Sequence, residues 1–163
     1  TTADIAAVND FPSLVRVAHA MALEKGWWED GVQKRDRDEI FANYHAEVSE
    51  AWEEYRGGRI ETWYQPFGKP EGFWVEIADL MIRIADAIGA GRDCRVSRNT
   101  YVGLGSFAEH IVCLHRELCD TDGDAVIYCE KLAAVHGHDL YATIREKLTY
   151  NATRPYRHGG KRA

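Results

Sequence analysis

Two pairs of acidic residues have the types and the spacing that chemistry on a polar ligand requires. Glu47 and Glu50 lie three residues apart, and Glu76 and Asp79 repeat that spacing further along the chain. Residues three apart share one face of a helix, so each pair would project from one side of its helix. If the two helices pack side by side, four carboxylates converge and repel one another unless protons or cations neutralise them. Mg²⁺ suits such a cluster, because it takes hard oxygen ligands and bridges carboxylates to phosphates.

Two other interpretations of the acidic pairs were weighed. A single Glu-x-x-Glu is most often a solvated helix face, and this alternative stays open for either pair taken alone. A ferritin-like di-iron site is disfavoured, because it uses Glu-x-x-His and neither pair has a histidine at that spacing. On the first helix Glu54 also flanks the apolar face, whereas Glu53 is expected to point to solvent.

Basic residues are concentrated at the end of the chain. Residues 145–163 contain six Lys and Arg against one Glu, a formal charge of +5, whereas residues 1–144 carry −11. Lys147 and Asn151 share a predicted helix face and Arg154 follows one turn later, so these donors suit the oxygens of a polyphosphate. A disordered basic tail and a nucleic-acid contact are the alternatives. The overall charge of −6 argues against a stable nucleic-acid or membrane partner.

Two adjacent tryptophans are a third feature that indicates a binding role. Trp27 and Trp28 follow Lys25 and Gly26, and neighbouring side chains cannot both face one core. At least one of them is therefore expected to meet a nucleobase or another subunit, because aromatic rings stack on bases and are enriched at interfaces.

Helices must position these residues, and the sequence predicts six of them. The two strongest predictions span about 36–56 and 71–90; the others span about 10–25, 104–119, 123–136 and 139–153, the last with Asp139 as a possible cap. Residues 59–70 and 91–103 are predicted loops, and no strand pattern is visible. The predicted architecture is an all-α bundle.

The predicted helix over 71–90 is apolar almost all round. Its charged residues lie within an arc of roughly 80°, at i, i+3, i+7 and i+10; they are Glu76, Asp79, Arg83 and Asp86. A helix of this kind is normally buried, so its charged stripe is expected to face a polar site or a narrow solvent window.

Composition favours one ordinary domain. The chain has 163 residues, of which 45% are hydrophobic and 28% charged, enough to bury a core without disulfides or a structural metal. The four cysteines show neither Cys-x-x-Cys nor zinc-type spacing, so free thiols are predicted. No secretory signal or membrane-spanning stretch is visible, and we expect a cytoplasmic protein.

The order of four sequence blocks resembles the MazG-like all-α nucleoside triphosphate pyrophosphohydrolases, in particular the short stand-alone forms of phages and bacteria. The blocks are Lys25–Trp28, His45–Arg56, Glu76–Asp86 and Lys147–Lys161. Together they cover the chain except for its middle. An isolated Glu-x-x-Glu is weak, but four blocks in the family's order are a specific pattern.

The resemblance implies a Mg²⁺-dependent enzyme that cleaves (d)NTPs between the α and β phosphates, giving (d)NMP and pyrophosphate. It implies that Glu47, Glu50, Glu76 and Asp79 are the catalytic metal ligands, and Mn²⁺ is expected to substitute. Residues expected at the substrate are Trp27, Trp28, Lys147, Asn151, Arg154 and Asp86. The resemblance further implies a homodimer or homotetramer acting on the deoxynucleotide pool, with dGTP and GTP among the first substrates to test.

One segment departs from the family pattern. In the family the Glu-x-x-Asp helix passes fairly directly into the helix that bears the lysine and asparagine, whereas here roughly 40 extra residues, about 87–128, intervene, longer than the usual connection in a bundle. They are predicted to hold an additional helix near Ser106–Cys119. A non-enzymatic helical interaction protein, using the acidic stripe and the basic tail for assembly, is the alternative function.

Overall fold

The computed structural model describes residues 2–29, 35–97 and 100–160, and this part of the chain is helical apart from one short strand pair. The all-α prediction is therefore confirmed. The helices are α1 Thr2–Ala6, α2 Phe11–Glu24, α3 Arg37–Arg56, α4 Phe73–Gly89, α5 Phe107–Asp120, α6 Asp122–Val135, α7 Leu140–Thr153 and α8 Arg157–Gly160. All six predicted helices are present, and the short α1 and α8 were not predicted. Arg98, Lys161 and Arg162 lie outside the described residues.

Local hydrogen bonds explain where several helices begin. Asp10 accepts from the Ser13 amide at 2.8 Å at the start of α2, and Asp139 accepts from the Ala142 amide at 2.9 Å at the start of α7. Ser106 and Glu109 form a reciprocal capping box on α5. Each cap satisfies amide groups that the first helical turn would otherwise leave unpaired. Asp139 is thus the cap that the sequence predicted.

Helix α4 occupies the centre of the bundle. It packs against α2, α3, α6 and α7, and most of its apolar side chains are buried, Ile77, Leu80 and Met81 completely. The buried face of α3 consists of Ile40, Tyr44, Val48 and Ala51, as the helical periodicity predicts. Because α4 is enclosed on nearly every side, its charged stripe faces the interior of the bundle rather than a broad solvent surface.

The segment between α3 and α4 differs from the prediction. Residues 59–70 were expected to be a plain loop, but β1 Trp63–Tyr64 pairs antiparallel with β2 Pro70–Glu71. Two-residue strands are too short to show an alternating pattern, so the sequence could not indicate them. Glu71 therefore belongs to β2, and α4 begins at Phe73, two residues later than expected.

Gly72 makes the tight connection between β2 and α4 possible. Its φ is 131°, and a Cβ atom there would lie 2.6 Å from the backbone oxygen of Glu61. Only glycine tolerates both conditions. This glycine therefore fixes the distance between the strand pair and the first turn of α4.

The segment 87–128 forms part of the same bundle. It contains α5 and the first half of α6; α5 packs against α3 and α6, and α6 also packs against α4. The predicted additional helix near Ser106–Cys119 is confirmed as α5.

All four cysteines are free thiols, as predicted. In the described ranges, none of the helices combines the length and the apolarity that crossing a membrane demands.

Candidate metal centre and adjoining cavity

Three of the four predicted acidic residues converge where α3 packs against α4. Each of Glu47, Glu50 and Glu76 offers a carboxylate oxygen, and these oxygens all lie within 4.8 Å of one another. Glu47 and Glu76 are buried, whereas Glu50 is exposed. We call these three residues the acidic cluster. The helical spacing thus placed both pairs on facing sides of the two helices, as the sequence analysis expected.

Asp79, the fourth residue, is engaged by a lysine. Its Oδ2 lies 2.8 Å from Nζ of Lys147, whose side chain is 3% exposed. The same ammonium donates to the backbone oxygen of Pro70 at 3.3 Å. Lys147 therefore lies inside the bundle beneath Asp79, and it is not among the residues that line the cavity described below.

Burial and repulsion raise the pKa of Glu47 to about 7. Burial in the bundle is the largest cause, and the nearby carboxylates of Asp79 and Glu50 add to it. Arg83 acts in the opposite direction, because its Nε donates a hydrogen bond to Glu47 Oε1. Arg83 lies on the charged stripe of α4, four residues after Asp79. The helical spacing that placed the acidic residues therefore also places this arginine beside them.

Glu76 interacts with Glu71, a carboxylate that the sequence analysis did not select. Burial raises the pKa of Glu76 to about 10, and a hydrogen bond with Glu71 contributes. Glu71 lies in β2, is 7% exposed, and accepts from Gln65 Nε2 at 2.9 Å and from Lys69 Nζ. No helical spacing could reveal it, because it precedes the helix and its strand is only two residues long.

A cavity of about 390 Å³ opens beside the acidic cluster. The predicted site residues that line it are Glu47, Glu50, Asp79, Asp86, Trp27, Asn151 and Arg154. Glu76, Trp28 and Lys147 are not among the lining residues. Seven of the ten predicted residues therefore share one cavity, although they come from α3, α4, α7 and the segments that follow α2 and α7.

Basic and aromatic residues also line the cavity. Lys25, just after α2, lines the cavity and donates from Nζ to the backbone oxygens of Ala152, at 2.8 Å, and Arg154. An ammonium has three protons, so one remains for a ligand. Trp27 also lines the cavity and meets the ring of His158 edge-on at 5.1 Å.

The described part of the basic tail is folded onto the end of α2. The Arg157 amide donates to the Lys25 oxygen at 3.0 Å, and its guanidinium donates to the Gly26 oxygen at 3.0 Å. Tyr156 donates to Glu29. These contacts hold Arg154 and His158 in the cavity wall, so this stretch of the tail is part of the site.

Asp86 is the last residue of the charged stripe, and Trp28 is its hydrogen-bond partner. Trp28 is 6% exposed and donates from Nε1 to Asp86 Oδ1 at 2.8 Å. His19 Nδ1 lies 2.9 Å from the same oxygen, and Arg35 lies 3.6 Å from Oδ2. Burial raises the pKa of Asp86 against the effect of these partners. Trp28 is thus a core residue that orients Asp86, and Trp27 is the tryptophan that faces the cavity.

Two polar groups beside the cavity have no hydrogen-bond partner within the described part of the chain. They are the hydroxyl of Tyr44 and Oδ1 of Asn151, both buried atoms of residues that line the cavity. Buried polar groups are usually paired with protein or water. A ligand that fills the cavity could supply the missing partners.

No protein-family model, curated protein or solved structure matches this chain. The functional argument therefore rests on the chemistry of the cavity and its acidic cluster.

Proposed function

We propose that the protein is a Mg²⁺-dependent nucleotide pyrophosphohydrolase that cleaves (d)NTPs between the α and β phosphates and releases (d)NMP and pyrophosphate. One observation carries the proposal: Glu47, Glu50 and Asp79 line the same cavity as Lys25 and Arg154. A nucleoside triphosphate is a polyanion that carries its own divalent cation, so it needs both carboxylates and basic side chains. The cavity volume of about 390 Å³ falls within the range of small-molecule sites.

The residues present fit a divalent cation. Around the acidic cluster five carboxylates face three cationic side chains, namely Glu47, Glu50, Glu71, Glu76 and Asp79 against Lys69, Arg83 and Lys147. With all of them ionised, two negative charges remain, which one Mg²⁺ would balance. Without metal, burial above all and the neighbouring carboxylates in addition raise the pKa values of Glu47 and Glu76, so that protons take the place of the cation. Mn²⁺, with similar oxygen preferences, is expected to substitute.

In this proposal the chain's own residues bind and orient the substrate. The acidic cluster would hold Mg²⁺, which supplies activation of water and compensation of phosphate charge. Lys25 and Arg154 would bind the phosphates, and Trp27 offers a ring on which a base can stack. Glu50, the exposed member of the cluster, is the carboxylate best placed to take a proton from the attacking water.

The resemblance to MazG-like pyrophosphohydrolases supports this proposal, because its acidic pairs coincide with the cluster. A cytoplasmic homodimer or homotetramer acting on the deoxynucleotide pool belongs to the same proposal. Sedimentation velocity on the purified protein tests the assembly directly. The sedimentation coefficient of a monomer at micromolar concentration would contradict the proposed dimer or tetramer. It would not bear on the proposed hydrolytic activity.

A substrate panel tests the activity. The purified protein is incubated with Mg²⁺ and each common dNTP and NTP, with dGTP and GTP included, and with the matching diphosphates, and the products are separated. We expect monophosphate and pyrophosphate in equal amounts from at least one triphosphate. Release of inorganic phosphate alone would contradict cleavage between the α and β phosphates, and no turnover of any member would contradict the proposal.

A non-enzymatic interaction protein is the second candidate, favoured by one observation. Tyr101 and Leu104 are each 87% exposed, and Val112 on α5 is 57% exposed, so segment 101–112 presents apolar side chains to solvent. Thermal unfolding separates the candidates. A ligand at about 100 times its dissociation constant stabilises a folded protein by about 2.7 kcal/mol, so Mg²⁺ with a bound nucleotide must raise the melting temperature. No shift with any nucleotide would favour the interaction protein.

A further inference from the structure

Arg83 connects the buried part of the acidic cluster to the cavity. It lies on α4 between Asp79 and Asp86, and its Nε donates a hydrogen bond to Glu47 Oε1. The Glu47 side chain is only 5% exposed, whereas the Arg83 side chain is 44% exposed, and Arg83 is among the residues that line the cavity. This arginine therefore lies between a buried carboxylate and the space that a ligand would occupy.

Most of the hydrogen-bonding capacity of Arg83 is available to a ligand. A guanidinium carries five N–H donors, and the bond from Nε to Glu47 is the one found for Arg83 among the described residues. The donors of the two Nη groups match two oxygens of a phosphate group at once. Lys147, by contrast, is 3% exposed, pairs with Asp79 and does not line the cavity. Of these two cations, Arg83 is therefore the one that a substrate can reach.

The charge of Arg83 affects any cation that enters the acidic cluster. Arg83 is bonded to Glu47, and Glu47 and Glu50 both offer oxygens to the candidate metal site. A unit positive charge about 6 Å from a divalent cation lowers the affinity for that cation about tenfold, even at the dielectric constant of water. Arg83 therefore opposes the binding of a metal ion alone, whereas the phosphates of a nucleotide would neutralise the guanidinium.

We propose that Arg83 binds the phosphate chain through its Nη groups while Nε stays on Glu47, and that it thereby makes cation binding depend on the nucleotide. The inference rests on the proposed function in taking a nucleoside triphosphate and a divalent cation as the ligands. In the nucleotide-free protein, Arg83 compensates the charge of Glu47 and weakens the binding of a free cation. Once phosphates bind to the guanidinium, this repulsion is cancelled, and the cation and the nucleotide strengthen each other's binding.

Two binding measurements on the full chain test the inference without turnover. Binding of Mn²⁺ alone is followed by electron paramagnetic resonance, and binding of non-cleavable α,β-methylene dNTP analogues in Mg²⁺ by isothermal titration calorimetry. Arg83→Met removes the positive charge and the donors. It is expected to bind Mn²⁺ alone about tenfold more tightly and the analogues at least about tenfold more weakly, since a hydrogen bond to a charged group is lost. Arg56→Met, an exposed arginine of α3 outside the cavity lining, is the matched control and should match the parent in both measurements.

The opposite directions of the two changes distinguish phosphate binding from a structural role. If Arg83→Met binds both Mn²⁺ and the analogues more weakly, Arg83 only maintains the shape of the cluster and the inference is overturned. Mn²⁺ binding that does not become tighter, or analogue binding that does not become weaker, would overturn it as well. In each of these cases, turnover of a triphosphate by the parent protein would leave the proposed function in place. If the parent binds neither Mn²⁺ nor any analogue, the proposed function and the inference both fall.

A second pair of variants covers a failure of Arg83→Met to fold, because removal of Arg83 leaves the buried Glu47 without its partner. Glu47→Gln and the double variant Glu47→Gln/Arg83→Met differ only at position 83, and neither has an unpaired carboxylate at position 47. Analogue binding is expected to be at least about tenfold weaker in the double variant. Equal affinity of the two variants would overturn phosphate binding by Arg83.

Discussion

The ammonium of Lys147 lies 2.8 Å from a carboxylate oxygen of Asp79, with the lysine side chain only 3% exposed. The lysine comes from α7 and the aspartate from α4, so this contact joins the basic end of the chain to the charged stripe. The resemblance implied that Lys147 would contact phosphate. In the structure its ammonium pairs with Asp79 and donates to the Pro70 oxygen of β2, and it does not line the cavity, whereas Lys25, Arg35, Arg83 and Arg154 do.

Replacement of Lys147 by Met is expected to destabilise the protein, because it leaves Asp79 without the cation that compensates its burial. Breaking a buried pair by removing one partner typically costs about 3–5 kcal/mol, and partial exposure of Asp79 places the expected loss near the lower end. Urea unfolding measures it. Arg56→Met, an exposed arginine paired with Glu53, is the control and should change stability by less than about 0.5 kcal/mol. An unchanged midpoint for Lys147→Met would contradict the buried pair.

Metal-free protein is expected to lose stability as the pH rises from about 7 to about 9. Folding raises the pKa of Glu76 from 4.5 to about 10, so in this range the folded state binds a proton that the unfolded state has released. Stability then falls with increasing pH, by up to about 1.4 kcal/mol per pH unit for one proton. Buried histidines do not oppose this trend, because lowered pKa values, as for His110, affect stability only below about 6.5.

Urea unfolding in EDTA across that pH range measures this slope. Glu76→Gln cannot titrate and should flatten the slope, whereas Glu53→Gln, whose carboxylate is 63% exposed, should leave it unchanged. Saturating Mg²⁺ should also flatten it, because the cation replaces the proton. Stability that rises with pH in EDTA would contradict the burial of Glu76 as a protonated acid.

Arg154 is expected to contribute to substrate binding more than to the chemical step. Arg154 lines the same cavity as Glu47 and Glu50, and its backbone oxygen accepts from Lys25. Arg154→Gln should raise KM for a triphosphate about tenfold or more while kcat changes less, because a charge-assisted hydrogen bond to phosphate is lost in the bound complex. Arg56→Gln, an exposed arginine far from the cavity wall, serves as the control. Equal KM values for the two variants would show that Arg154 does not bind substrate.

Helical periodicity was sufficient to predict the main helices and the four acidic residues that line the cavity. Glu47, Glu50, Glu76 and Asp79 could be placed because a spacing of three residues puts each pair on one side of its helix, beside the apolar face. Arg83 lies on the same charged stripe of α4, so its place beside the acidic residues also follows from the helical spacing. The two helices are local structures, and their residues share a face whatever the rest of the chain does.

The contacts made by Glu71, Lys25 and the two tryptophans could not be predicted in the same way. Glu71, Gln65 and Lys69 lie in a segment with no periodicity, and the pairing of two very short strands brings Gln65 and Lys69 to Glu71. Lys25 is likewise remote from the tail in sequence but contacts Ala152 across 127 residues. Adjacent Trp27 and Trp28 could be recognised as facing different surroundings, but the sequence did not indicate which of them faced the cavity.

The most direct test of the central claim compares pyrophosphate release by two glutamine variants on one helix. Glu50→Gln removes a charge from the acidic cluster, and Glu53→Gln removes one from an exposed carboxylate of the same helix that is neither in the cluster nor among the residues lining the cavity. With Mg²⁺ and the best substrate of the panel, Glu50→Gln should lower kcat at least about 100-fold, the range for a general base, and Glu53→Gln should match the parent. Pyrophosphate release by Glu50→Gln at the parent's rate would contradict the account.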